Sequence, residues 1–231
     1  MPVHPARAGA SDFPLSVRGV RWGAEPRDPL PRIRTGFVEF DVLLGGGLPR
    51  GVITHLIGAE SSGRTALVYA LVGAATVVGE SAAWIDLPDA FDAEHAATAG
   101  IALSRLLWVR PREFKAALRA TELVLETGGF AVTVADLTDP CMARRSMPPA
   151  VWVRLARAAA RTRSAVVSTG VPPGMLATLC LETERSQTNF IGNRGPLPLF
   201  EGIRGIVRVR KNKLGLAGLQ LAARFFVTCV P

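Results

Sequence analysis

The stretch GAESSGRT, from Gly58 to Thr65, has the residue types and spacing of a loop that cradles phosphates. Gly58 and Gly63 allow a tight curve in which consecutive backbone N–H groups and the first turn of a helix converge on an anion. Thr65 offers a hydroxyl suited to Mg²⁺. The pattern G-x-x-x-x-G-K-[ST] is met at every fixed position but one, because Arg64 stands where the lysine belongs. Arginine keeps the positive charge but is longer, planar and forked, so it is compatible with phosphate binding and poorly suited to in-line phosphoryl transfer. The candidate nucleotide-binding set of the loop is Gly58, Glu60, Ser61, Ser62, Gly63, Arg64, Thr65 and Ala66.

Such a loop works only between a strand and a helix, and the flanking sequence supplies both. VITHLI (52–57) is β-branched and apolar, as a buried strand is, and the residues after the loop read as a helix to about Val78. SAAWID (81–86), FAVTVAD (130–136) and SAVVST (164–169) read as further buried strands. Between them lie the helical stretches REFKAALRATELVLETGG, with Gly128 and Gly129 as its stop signal, and VWVRLARAAARTR. Alternation of this kind predicts an α/β fold, a mostly parallel twisted sheet flanked by helices. At the end, GIVRVRKN alternates apolar and basic residues and LGLAGLQLAARFFV can return beside it, which predicts a C-terminal antiparallel hairpin. Residues 1–33 carry Pro2, Pro5, Pro14, Pro26, Pro29 and Pro31 and read as an irregular Pro- and Arg-rich arm, with the core domain over 34–231.

Net charge is +8 and unevenly placed. Residues 141–231 hold 14 Lys and Arg against 3 Asp and Glu, whereas residues 51–140 hold 6 against 11. The basic last third suits a polyanion or an acidic protein surface, although nearly all of its basic residues are arginine, which a GC-rich genome also produces. Arg154, Arg157 and Arg161 share one helix face, either as a solvated face or as a docking surface. Cys141, Cys180 and Cys229 are widely spaced and odd in number, which argues against a disulfide framework or a zinc site and suits a reducing compartment. With no secretory pattern and no apolar run long enough for a bilayer, a cytoplasmic location and no membrane partner are expected.

RTGFVEFDVLLGGGLPRGVITHLIGAESSGRTAL resembles the RecA recombinase core, in which a G-G-L-P-x-G turn leads into G-P-E-S-S-G-K-T. AAWIDLPDAFDAEHAATAGIALSRLLWVRP is similar to the following RecA stretch without gaps. AVTVADL looks like the Walker B strand and places its aspartate at Asp136, so the resemblance implies Thr65 and Asp136 as Mg²⁺ ligands if nucleotide binds. The same resemblance puts Asp92 and His95 beside the adenine. VRKNKLG resembles a K-N-K hairpin that touches nucleotide across a filament interface, which marks Lys211 and Lys213. Arg208 and Arg210 of that segment join Arg154, Arg157 and Arg161 as interface or DNA candidates.

The departures decide the functional reading. Pro88 occupies the position of the glutamate that activates water, and TGVPPGML lacks the γ-phosphate-sensing glutamine. With Arg64, three groups are changed, each ordinarily worth orders of magnitude in rate. A short RecA-like chain with such a site looks like the ImuA group of mutagenesis accessory proteins. That resemblance implies damage-induced translesion synthesis, with an ImuB-type polymerase homologue and RecA as partners, DNA as a further candidate, no required cofactor and ATP with Mg²⁺ as optional ones. Three readings fit these residues: a non-catalytic adaptor, a nucleotide-binding switch without hydrolysis, and a DNA-stimulated ATPase.

Overall fold

The structure is a computed structural model that describes residues 30–138, 149–170, 177–191, 199–214 and 222–228. Its frame is an eight-stranded sheet in the order β10-β9-β8-β3-β7-β6-β4-β5. The strands are β3 (Ile53–Gly58), β4 (Ser81–Asp86), β5 (Leu106–Val109), β6 (Phe130–Asp136), β7 (Ala165–Thr169), β8 (Leu179–Ile191), β9 (Leu199–Asn212) and β10 (Ala222–Thr228). From β8 to β5 every neighbouring pair is parallel, and β9 and β10 continue the sheet antiparallel. The C-terminal hairpin expected from the alternation is therefore β9 and β10. A separate two-stranded ribbon joins β1 (Arg32–Ile33) to β2 (Leu48–Pro49).

Three of the four strands read from the sequence match their segments within a residue, and β3 is displaced by one. Two parallel strands were not anticipated. LLWV forms β5, a short edge strand, and β8 spans thirteen residues of a segment with little resemblance to RecA. β8 mixes apolar with charged residues because only one of its faces meets the core: Leu179, Leu181 and Thr183 are buried, while Glu184 on the opposite face is exposed. A search for continuous apolar runs passes over such a strand.

Helices cover both faces. α1 (Val38–Leu43) and α2 (Arg64–Val77) bury Phe40, Leu43, Leu67, Val68 and Leu71 against Leu56, Trp84, Val134, Val167 and Leu181. α4 (Phe114–Thr127) and α5 (Pro149–Thr162) bury Phe114, Leu125, Trp152 and Leu155 against Ile53, Ile85, Ala135 and Val166. Neighbouring strand residues such as Val166 and Val167 thus serve opposite layers, as the two-residue period of a strand requires. Trp84 and Trp152 are core residues, each 3% exposed. α4 stops where Gly128 takes a left-handed φ of 73° and its N–H bonds to the Val124 carbonyl, a conformation that costs glycine nothing. The short α3 (Ala93–Thr98) follows β4.

Candidate functional site

The loop Gly58–Thr65 leaves the C-terminal end of β3, the edge of a parallel sheet at which ligands bind in folds of this kind. Its curve is built from backbone conformations that few residues adopt. Gly63 is left-handed at φ 90°, Ser61 at 55°, and Ser62 N–H bonds back to the Ala59 carbonyl at 3.3 Å. At Gly58 a Cβ would stand 2.3 Å from Thr183 Oγ1 and 2.6 Å from the Thr183 carbonyl oxygen, so only glycine fits there. α2 begins at Arg64, and its first bond runs from Leu67 N–H to the Gly63 carbonyl at 3.0 Å. This geometry suits phosphate oxygens. Thr65 is exposed at the helix start, and Arg64 makes no ion pair among the described residues.

Across the same edge stand the carboxylates. Asp136 ends β6, two strand spacings or about 10 Å from β3. Its Oδ1 accepts hydrogen bonds from Thr138 N–H (3.1 Å), Thr138 Oγ1 (2.7 Å) and Thr169 Oγ1 (2.9 Å). One oxygen is thus committed to closing strand ends, and the other is the atom that could face a metal with Thr65. Asp86 lies level with Asp136 on the neighbouring strand and is fully buried. It accepts three N–H bonds, from Ala90 at 3.0 Å, Phe91 at 3.0 Å and the Trp108 indole at 3.1 Å, and so holds the turn that leaves β4. Pro88 sits in that turn. The adjacent Asp89 is bound to Arg110 at 2.6 Å, and that hydrogen bond holds its carboxyl below the ordinary aspartate range.

Asp92 and His95, expected beside an adenine, lie at the start of α3. Asp92 accepts the His95 N–H at 2.9 Å, which caps the helix. The His95 ring lies 5.8 Å from that of Tyr69, which packs edge-on against Trp84 and Phe91. Both residues are exposed, so a flat ligand could reach them, but Asp92 already has a structural task.

The basic candidates divide. Arg154 binds Glu122 of α4 at 2.7 Å and ties α5 to α4, while Arg157 and Arg161 are exposed and make no ion pair among the described residues. Arg208 pairs with Glu184 at 3.3 Å, and Arg210 pairs with Glu182. Lys211 is level with Cys180 and Val209 with Leu181, so Arg210 is the extra residue of a β-bulge, a device that re-aims a side chain. Arg210 thereby lines a cleft of about 480 Å³ with Ala59, Glu60, Ser62 and residues 182–185. Lys211 and Lys213 lie further down the sheet than the phosphate loop: Cys180, level with Lys211, faces His55, whereas Thr183 faces Gly58. Residues 171–176, within the stretch expected to lack the sensing glutamine, lie outside the described residues, as do Cys141, Cys229 and Trp22.

Thr183 is the site residue that sequence reading missed. Its hydroxyl lies 2.6 Å from Ser62 Oγ and 3.3 Å from the Ile57 carbonyl. The signal was a lone threonine in an unassigned segment 121 residues from Ser62, with no local pattern to expose it.

Strand, glycine loop and helix, set in a parallel sheet with helices on both faces, define a P-loop domain of the RecA type. The RecA N-terminal domain family matches residues 18–147, and the chain belongs to that family. It is 38% identical over 118 residues to the RecA protein of Saccharopolyspora erythraea, covering 51% of this chain and 34% of that protein. The RecA protein of Desulfotalea psychrophila is 36% identical (51% and 33%), and that of Kineococcus radiotolerans 37% (51% and 34%). The match spans about a third of the length of these relatives. No helix among the described residues is long and apolar enough to cross a membrane.

Proposed function

We propose that the chain is a non-catalytic RecA-like accessory protein that acts by docking, with RecA and an ImuB-type polymerase homologue as partners, in damage-induced mutagenesis and translesion synthesis. The observation that carries the non-catalytic part is the turn after β4. Pro88 stands there, and the two flanking aspartates are engaged: Asp86 is buried under three N–H donors, and Asp89 is bound to Arg110. A general base must be within reach of water and have a lone pair to spare. Arg64 in place of lysine supports the same reading. The docking part rests on the resemblance to the ImuA group and on the basic last third.

A second reading is a nucleotide-binding switch without hydrolysis, and the preserved cradle favours it. Gly58 has no room for a side chain, and Gly63 and Ser61 hold the curve that phosphates require. ATP would then lie on residues 58–66, with Thr65 and Asp136 toward Mg²⁺.

The test is phosphate release from ATP by the purified chain with Mg²⁺ and single-stranded DNA, beside Thr65→Ala, followed by co-purification with RecA and the polymerase homologue. Expected are release no greater than in Thr65→Ala and retention of at least one partner. Release well above that control would restore the ATPase reading. Loss of both partners, with and without DNA, would remove the adaptor.

A further inference from the structure

Ser62 is the last residue before the Gly63–Arg64 junction, and its side chain points away from the mouth of the loop into the sheet, where it is 2% exposed. There it meets Thr183 of β8, also 2% exposed, at 2.6 Å between hydroxyl oxygens. Thr183 in turn donates to the Ile57 carbonyl at 3.3 Å, which leaves its oxygen to accept the Ser62 proton. The result is a chain of two hydrogen bonds from the loop, through β8, back to the end of the strand that launches the loop. The backbone presses at the same point, since Thr183 is level with Gly58 and fills the space a side chain there would need. The rest of the loop has little to hold it. The backbone bond across its curve, Ser62 N–H to the Ala59 carbonyl, is long at 3.3 Å, and Ala59, Glu60 and Ser61 are exposed.

We infer that Thr183 is the positioning residue of the phosphate loop: its hydroxyl holds Ser62, and through Ser62 the N–H groups of residues 61–65, in the curve that accepts phosphates. The inference rests on reading Gly58–Thr65 as a nucleotide loop and adds which residue outside the motif sets its shape. Thr183 touches no phosphate and acts only through Ser62. Without the Thr183 hydroxyl, Ser62 is left buried without that partner, and without Ser62, Thr183 keeps only its bond to the Ile57 carbonyl; either loss frees the loop from β8 and shifts the balance toward loop conformations that open to water.

The experiment uses the full chain and four variants: Thr183→Val, which keeps shape and removes the hydroxyl; Thr183→Ser, which keeps the hydroxyl; Ser62→Ala, which breaks the bond from the loop side without touching β8; and the double variant Thr183→Val with Ser62→Ala. Amide hydrogen exchange is followed on peptides covering 58–65, and ATP with Mg²⁺ is titrated by calorimetry. Exchange in the loop should rise roughly tenfold in Thr183→Val and in Ser62→Ala, no further in the double variant, and return toward normal in Thr183→Ser. ATP affinity should fall in the same order and by a similar factor. If the unaltered chain takes up no ATP, the nucleotide reading fails, while the exchange pattern alone still decides the role of Thr183. Unchanged loop exchange in Thr183→Val, a double variant equal to the sum of the singles, or no rescue by serine would overturn it.

Discussion

At the scale of single residues, the candidate site is a set of polar groups already engaged with the protein. Asp86 shows this most clearly. Its carboxylate receives three N–H groups inside the fold, and asparagine in its place would turn an NH₂ group toward at least one donor. Asp86→Asn should therefore destabilise the chain by about 3 kcal/mol, read as a lower urea midpoint with an unchanged slope. Gly58→Ala puts a carbon 2.3 Å from Thr183 Oγ1 and 2.6 Å from backbone, so it should lower the melting temperature, whereas Gly45→Ala, with open space around it, should cost only the strain of its left-handed φ.

At the scale of elements, α5 is held to α4 through Glu122, which accepts from Arg154 at 2.7 Å and Arg119 at 3.3 Å. The Arg154 hydrogen bond is the main cause that draws the Glu122 carboxyl below its ordinary value. A carboxylate whose folded value is depressed stabilises the fold fully above its unfolded value, near pH 4.3, and loses that contribution as the pH falls through the lower, folded one. Acid unfolding should therefore set in at a higher pH in Arg154→Ala than in the native chain, and Glu122→Gln should flatten that stretch of the stability profile. Arg157 and Arg161 lie on the same helix without ion pairs among the described residues. Reversing both to glutamate should leave the melting temperature within a few degrees and weaken binding to an acidic partner, most visibly at low salt.

At the scale of the whole molecule, the sheet sets the phosphate loop at the C-terminal end of β3 and Lys211 three residues further back, level with His55. On the resemblance to the RecA K-N-K hairpin, we expect those lysines to meet nucleotide across an interface between two molecules. Lys211→Ala with Lys213→Ala should leave ATP uptake unchanged in dilute, monomeric protein and alter it only when a second copy or a RecA protomer is present. Calorimetry at two protein concentrations, with and without RecA, checks this.

Sequence alone determined what local chemistry determines. The two glycines of GAESSGRT demand a tight loop, β-branched runs demand buried strands, the spacing in VWVRLARAAARTR demands a helix with one apolar face, and Pro88 removes a proton acceptor wherever its turn lies. Each is a property of a few neighbouring residues. Tertiary structure alone decided which strands pair and which charges stay unpaired. β8 was hidden because only one of its faces is apolar, and its place beside β3 is set by pairing across more than a hundred residues. Arg154, Arg208 and Arg210 looked equivalent to Arg157, Arg161 and Lys213 until Glu122, Glu184 and Glu182 arrived beside them from other elements. Thr183 became part of the phosphate loop for the same reason: a hydrogen bond depends on distance in space, and separation along the chain carries no record of it.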